Sequence, residues 1–178
     1  MWQTLTSETV FKSRFVKVYK DKVRLPASQI IDDFYTVTIP NGAMICALTD
    51  DGDIILKKEY RYACNADIVE CPAGMFEDHE NDPLLVAKRE LLEETGYTSD
   101  NWLYLGGSRE SSSKLTNTMH LFLAQNCFKT SEQKLDDTES IDLLKIPFNK
   151  AVDMVMIGEI IANSTAHLIL KVARLKGL

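Results

Sequence analysis

The sequence predicts an α+β domain preceded by an antiparallel β extension, and three observations carry that prediction. Alternating or unbroken apolar runs, rich in β-branched and aromatic residues, fill the first third of the 178-residue chain. One amphipathic helix with start and stop signals at both ends is written over residues 83–95. Two further helical segments close the chain near 148–157 and 164–176.

In chain order, RFVKVYKDKVRL, FYTVTI, AMICALT and DIILKKEYRY read as strands. The first 40 residues are expected to form a small sheet of their own, an extension over 1–40 ahead of a core domain over 41–178. Asp51-Gly52 between the last two runs signals a tight hairpin whose two central residues both take φ > 0. Asn41-Gly42, beside Pro40, is a second turn candidate. IVECPAG then leads to the helix, where Asp82 suits the N-cap, Pro83 the first helical position and Gly96 the residue past the end. Leu84, Ala87 and Leu91 make its apolar stripe. WLYLGG, TMHLFLAQN and SIDLLKI complete the strands, separated by the polar stretches GSRESSSKLTNT and KTSEQKLDDTE, and Asn163 or Ser164 caps the final helix.

Composition narrows function. Hydrophobic residues make up 45% of the chain and charged residues 26%, enough for an ordinary core. A net charge of −6 with no run of Lys or Arg excludes a general nucleic-acid binder. No stretch has the length and apolarity of a membrane span or a signal-peptide core, so a cytoplasmic location is expected, with no membrane partner. Cys46, Cys64, Cys71 and Cys127 form no CxxC pair, which argues against a zinc ribbon or redox motif; Cys46 and Cys127 fall in strand-like runs as reduced, buried thiols.

The chemistry concentrates in GMFEDHENDPLLVAKRELLEETGY, residues 74–97. Glu90 and Glu94 are four apart on the helix, where like charges cost a few tenths of a kcal/mol. Both lie toward the C-terminal end, where the helix dipole disfavours an anion by roughly 0.3–1 kcal/mol. Arg89 can pair with Glu93 at i,i+4, which leaves Glu90 and Glu94 without an obvious local partner. Such a cluster asks for a cation. Carboxylate oxygens suit a hard divalent ion, Mg²⁺ or Mn²⁺, that also accepts water and phosphate. Taken without its wider spacing, the cluster reads more readily as a solvated acidic face.

The spacing decides. Gly74, five residues, Glu80, then Arg89-Glu90-Leu91-x-Glu93-Glu94-x-Gly96-Tyr97 closely resembles the Nudix box. In one respect the box differs: eight residues, not seven, separate Glu80 from Arg89. Either the loop carries one inserted residue and Glu80 keeps the position of the first glutamate, or Asn81 takes it.

This resemblance implies a mixed sheet sandwiched between helices and Mg²⁺-assisted hydrolysis of a nucleoside diphosphate linked to another group. Carried over by position, Glu90 and Glu94 are metal ligands, Glu93 belongs to the same metal set, and Arg89 orients Glu93. EYRY (59–62), ECPAG (70–74) and the β extension resemble the branch of ADP-ribose pyrophosphatases and nucleotide-sugar hydrolases. In that branch the Ala73 carbonyl also binds metal, Arg61 contacts phosphate or ribose, and Glu70 contacts substrate or the metal's water. The general base comes from the late loop LDDTESIDLLKI, with Glu139 and Asp137 as candidates. Counting on from Tyr97 reaches Ser112, a substrate-binding position where the branch has a Ser-Pro-Gly turn; SSSKLTNT here lacks its proline and glycine, which opens substrate choice beyond ADP-ribose. His79, His120 and His167 read as packed or surface histidines. The branch also implies a homodimer, with the 1–40 extension as its dimerisation segment. Two other functions stay open: hydrolysis of nucleoside triphosphates or dinucleotides, and a non-catalytic module that binds a nucleotide sugar.

Overall fold

The computed structural model describes residues 1–178. The chain divides into two compact units, residues 1–41 with 109–118, and residues 42–108 with 119–178.

The first unit is an antiparallel sheet in the order β1-β2-β3, with β1 over Gln3–Lys12, β2 over Lys17–Arg24 and β3 over Ile30–Thr38. β1 is absent from the sequence-derived strands because QTLTSETVFK carries little apolar patterning. Its threonines favour extended backbone, and pairing with β2 (Thr4 opposite Val23, Thr9 opposite Tyr19) supplies the rest. Residues 109–118 join this unit through backbone bonds, Val37 N–H to Lys114 O at 2.8 Å and Thr116 N–H to Val37 O at 3.1 Å.

The second unit holds the mixed sheet that the resemblance implies. Its central order is β11-β5-β4-β10-β8, drawn from β4 (Gly42–Thr49), β5 (Asp53–Arg61), β8 (Tyr97–Thr98), β10 (Met119–Lys129) and β11 (Ile141–Pro147). β6 (Ala66–Glu70) pairs with β5, β7 (Ala73–Met75) with β4, and β9 (Asn101–Ser108) with β10. β4 and β10 run parallel and the other pairs antiparallel. Every residue of β4 is buried, because both sheet faces are covered. Met44, Cys46 and Leu48 face α2 (Phe148–Met156) and α3 (Asn163–Leu175) through Phe148, Leu168, Ile169 and Val172. Ala43, Ile45 and Ala47 face α1 (Pro83–Thr95) through Val86, Ala87 and Leu91.

Helix α1 has the predicted bounds and ends. Asp82 is extended and its Oδ1 accepts the Leu84 N–H at 2.9 Å, while Gly96 turns left-handed at φ +74° and donates its N–H to Leu92 O. Three local expectations are corrected. Asp51-Gly52 is not a two-residue turn: residues 50–52 form a three-residue connection in which only Gly52 takes positive φ (+82°), with its N–H on Thr49 O at 3.0 Å. Asn41-Gly42 makes no turn either, since Gly42 opens β4 and the Asn41 side chain accepts the Thr118 N–H. Helix α3 is capped by neither Asn163 nor Ser164; Ala162 holds the N-cap position without a side-chain bond. Thr165, in its first turn, accepts the Cys71 N–H at 3.1 Å and so ties α3 to the segment entering β7.

The Asp82 cap fixes the start of the helix that carries the acidic cluster. Asp82→Ala is expected to lower stability by about 1 kcal/mol with the urea m-value unchanged; a denaturation titration measures both.

Candidate active site

Strand β5 and helix α1 bring the charges together. Ile55 packs under α1, and the alternation of a strand puts Lys57 and Glu59 on the same face. On α1, Glu90 and Glu94 share the buried side with Ala87 and Leu91. The side chains of Lys57 and Glu94 are each 2% exposed and form an ion pair. Lys57 Nζ also lies 3.4 Å from the Ala73 carbonyl and 3.7 Å from Glu59 Oε2. The other Glu94 oxygen accepts the Ala73 N–H at 2.9 Å. Burial pushes the Glu94 carboxyl up to about 7, against the opposing pull of the Lys57 ammonium and the Ala73 N–H.

The expectation that Glu90 and Glu94 lack local partners holds for Glu94, whose partner comes from far along the chain, and fails for Glu90, which its neighbour Arg89 meets. Lys57 is 37 residues from Glu94 in the chain, and sheet pairing rather than helix spacing makes it a neighbour. Glu90 is met by Arg89, whose Nη1 donates to it at 2.8 Å and to Glu93 at 3.1 Å. Burial raises the Glu90 carboxyl pKa despite that contact.

Arg89 also grips Glu80 with its fork, Nε to Oε1 and Nη2 to Oε2, both at 2.9 Å, and Nη2 reaches the Met75 carbonyl at 3.2 Å. This contact raises the Arg89 pKa and holds Glu80 below its ordinary range. Of the two candidates for the first-glutamate position, the side chain facing Arg89 is Glu80, whereas Asn81 is exposed. The longer loop is taken up in a turn where Glu80 N–H bonds Glu77 O and Glu77 N–H bonds Glu80 Oε2. Gly74 completes the arrangement: a Cβ there would stand 1.9 Å from Glu90 Oε1, so this carboxylate rests directly on the glycine.

Arg61 and Glu70 bind each other, with Nε at 2.8 Å and Nη2 at 2.6 Å from Glu70 Oε2. Burial works against the Arg61 charge, but Glu70 and Glu59 outweigh it and raise its pKa. Glu59, buried between Lys57 and Arg61 Nη1 (3.1 Å), leaves its Oε2 without a hydrogen bond. Lys57 and Glu59 were missed by sequence reasoning. Their signal was present: from Ile55, a period of two puts Lys57, Glu59 and Arg61 on the inward face of an otherwise apolar strand.

The candidates Glu139 and Asp137 belong to the late loop before β11. Glu139 accepts the Asp136 N–H at 3.0 Å inside its own turn, and Asp137 is exposed. Their loop is nevertheless tethered to the end of α1, where Lys134 N–H and the Gln133 amide each lie 2.8 Å from the Glu93 and Glu94 carbonyls, respectively. Ser112 is exposed and belongs to the first unit. His120 bonds the Tyr104 hydroxyl at 3.0 Å, His167 bonds Ser108 Oγ, and His79 is a surface residue near Glu77.

The donors fit a hard divalent cation in kind: carboxylates of Glu90, Glu93 and Glu94 and the carbonyl of Ala73, beside the glycine cradle at Gly74. Glu59, Glu70, Glu80, Glu90, Glu93 and Glu94 outnumber Lys57, Arg61 and Arg89, so the site carries excess negative charge. As placed, no three of these acidic side chains are grouped closely enough to hold a metal ion; Arg89 pairs with Glu90 and Glu93, and Lys57 pairs with Glu94.

Comparison with known proteins gives the family. A NUDIX domain model matches residues 39–159, more than half the chain. The chain belongs to the Nudix family. A second model, the nucleoside diphosphate sugar hydrolase N-terminal domain, matches residues 2–37 of this Nudix chain. Among curated relatives, an ADP-ribose pyrophosphatase of Bacillus subtilis is 30% identical, covering 94% of this chain and 90% of its own. A methanol dehydrogenase activator of Bacillus methanolicus is 32% identical, with 86% and 82% covered. A GDP-mannose pyrophosphatase of Cronobacter sakazakii is 27% identical, with 78% and 75% covered. A solved structure described as an ADP compounds hydrolase shares the fold at a TM-score of 0.84 and 21% identity, covering 99% of this chain and 95% of its own.

Gly74→Ala is expected to dislodge the Glu90 carboxylate and lower hydrolytic turnover on the order of 10²-fold, while helix content by circular dichroism stays unchanged. Unchanged turnover would show that Glu90 does not need the cradle.

Proposed function

We propose that the chain hydrolyses the pyrophosphate bond of a nucleoside diphosphate sugar, ADP-ribose or a related compound, with Mg²⁺ or Mn²⁺ as its ion. The observation that carries this reading is the set of oxygen donors on β7 and α1, with Glu90 and Glu93 held by Arg89 and with Glu94 joined to Ala73 and Lys57. The match of residues 2–37 to the N-terminal domain model of nucleoside diphosphate sugar hydrolases supports the substrate class. The ADP-ribose and GDP-mannose pyrophosphatases among the relatives support the same class.

Ala73, Glu90, Glu93 and Glu94 would hold the ion. When bound, it neutralises pyrophosphate charge and makes water a better nucleophile toward phosphorus. Arg89 keeps Glu90 and Glu93 aimed, and Glu80 keeps Arg89 aimed. Arg61, with its side chain 39% exposed, is the cation that can turn from Glu70 to a substrate phosphate, and Glu70 then stays beside the reacting groups. Asp137 or Glu139 supplies the base from the loop anchored on α1. Ser112 is the substrate-binding position that the resemblance assigns. The enzyme works as a homodimer in the cytoplasm, a setting consistent with four free cysteines and with the absence of any helix long and apolar enough to cross a membrane.

A panel of ADP-ribose, GDP-mannose, UDP-glucose, dinucleoside polyphosphates, NADH and nucleoside triphosphates, each with Mg²⁺ or Mn²⁺, tests the reading. Nucleoside monophosphate and sugar phosphate should appear fastest from a nucleotide sugar. Faster release of pyrophosphate from a triphosphate would contradict it, as would tight binding without turnover.

Glu93 pairs only with Arg89 and is partly exposed, which makes it the cleanest carboxylate to neutralise. Glu93→Gln should lower kcat on the order of 10²–10³-fold with little change in Tm. Glu94→Gln, by contrast, strands the buried Lys57 ammonium and should cost about 3–5 kcal/mol of stability as well as activity.

A further inference from the structure

Lys57 is a positive charge inside the site that the proposed function gives to a divalent ion. Its ammonium contacts Ala73 O and the Glu94 carboxylate, two of the four groups assigned to that ion. An ammonium is a compact cation that takes oxygen donors and offers no acceptor of its own. Lys57 is fixed mid-strand in β5, opposite Glu70 of β6 on one side and Leu143 of β11 on the other.

An incoming ion that expelled Lys57 would need another anion to receive the buried ammonium. Besides Glu94, three acids surround it. Glu59 Oε2, at 3.7 Å, is already 3.1 Å from Arg61, and Glu70 accepts two bonds from the same arginine. Glu90, near enough to feel the lysine's charge, is held by Arg89 at 2.8 Å. The surroundings hold Lys57 where it is.

We propose that Lys57 is a tethered cation that permanently takes the place of one divalent ion at the Ala73–Glu94 corner, so that the chain binds one ion fewer than the same donors would without it. This inference rests on the metal-dependent reading above.

The test counts ions rather than turnover. Metal-stripped wild type, Lys57→Met and Lys57→Arg are titrated with Mn²⁺, and the free ion is followed by electron paramagnetic resonance. The expected result is one more Mn²⁺ per chain in Lys57→Met than in wild type, with Lys57→Arg matching wild type. Equal counts in wild type and Lys57→Met would overturn the tethered cation while leaving the metal reading intact. No Mn²⁺ binding by either protein would overturn both.

Should Lys57→Met fail to fold, the ¹⁵Nζ resonance of Lys57 in wild type decides the matter. A signal that stays protected from solvent exchange in saturating Mg²⁺ supports the proposal. Loss of that signal as Mg²⁺ binds would overturn it by showing that the ion displaces the lysine.

Discussion

The buried ion pair between Lys57 and Glu94 is the constraint around which the site is built. A carboxylate at the C-terminal end of α1 opposes the helix dipole, and burial makes its charge more costly still. The fold meets that cost from outside the helix: strand β5 brings an ammonium under the last turn, and β7 brings the Ala73 N–H to the other oxygen. Both depend on sheet pairing, because β5 and β7 each pair with the buried strand β4, β7 at residues 42–44 and β5 at Ala47 and Leu48. The hydrophobic packing of Ile45, Ile55, Val86 and Leu91 holds α1 over those strands. Core and site are therefore one construction rather than a scaffold with a site attached.

Arg89 plays the second organising part, as a planar fork with enough donors to serve Glu80, Glu90, Glu93 and a main-chain carbonyl together. Lysine, a point charge, could not keep four directions at once. The result is a set of carboxylates positioned before any ion or substrate arrives, which reduces the ordering that binding requires.

Much of this was legible in the sequence, for definable reasons. Helix α1 was readable to its bounds because Asp82, Pro83 and Gly96 mark its ends through local backbone chemistry. The closeness of Glu90, Glu93 and Glu94 was readable from spacing within a single helix, the shortest-range kind of inference, while their proposed roles came from the resemblance to the Nudix box. What escaped was long-range. Lys57 meets Glu94 only after the sheet forms, Arg61 and Glu70 pair across the β5–β6 ladder, and β1 exists because β2 is there to pair with it. Turn details at Asp51-Gly52 failed for a different reason: one glycine at φ +82° satisfies a three-residue connection as well as a two-residue one.

The central claim is that the Ala73, Glu90, Glu93 and Glu94 oxygens bind a divalent ion that acts on a nucleotide-sugar pyrophosphate. Anomalous diffraction from crystals grown with Mn²⁺ and a non-hydrolysable ADP-ribose analogue tests it most directly. The account predicts manganese peaks bordered by those oxygens and by the analogue's phosphates. Manganese or analogue located away from the α1 carboxylates would contradict it.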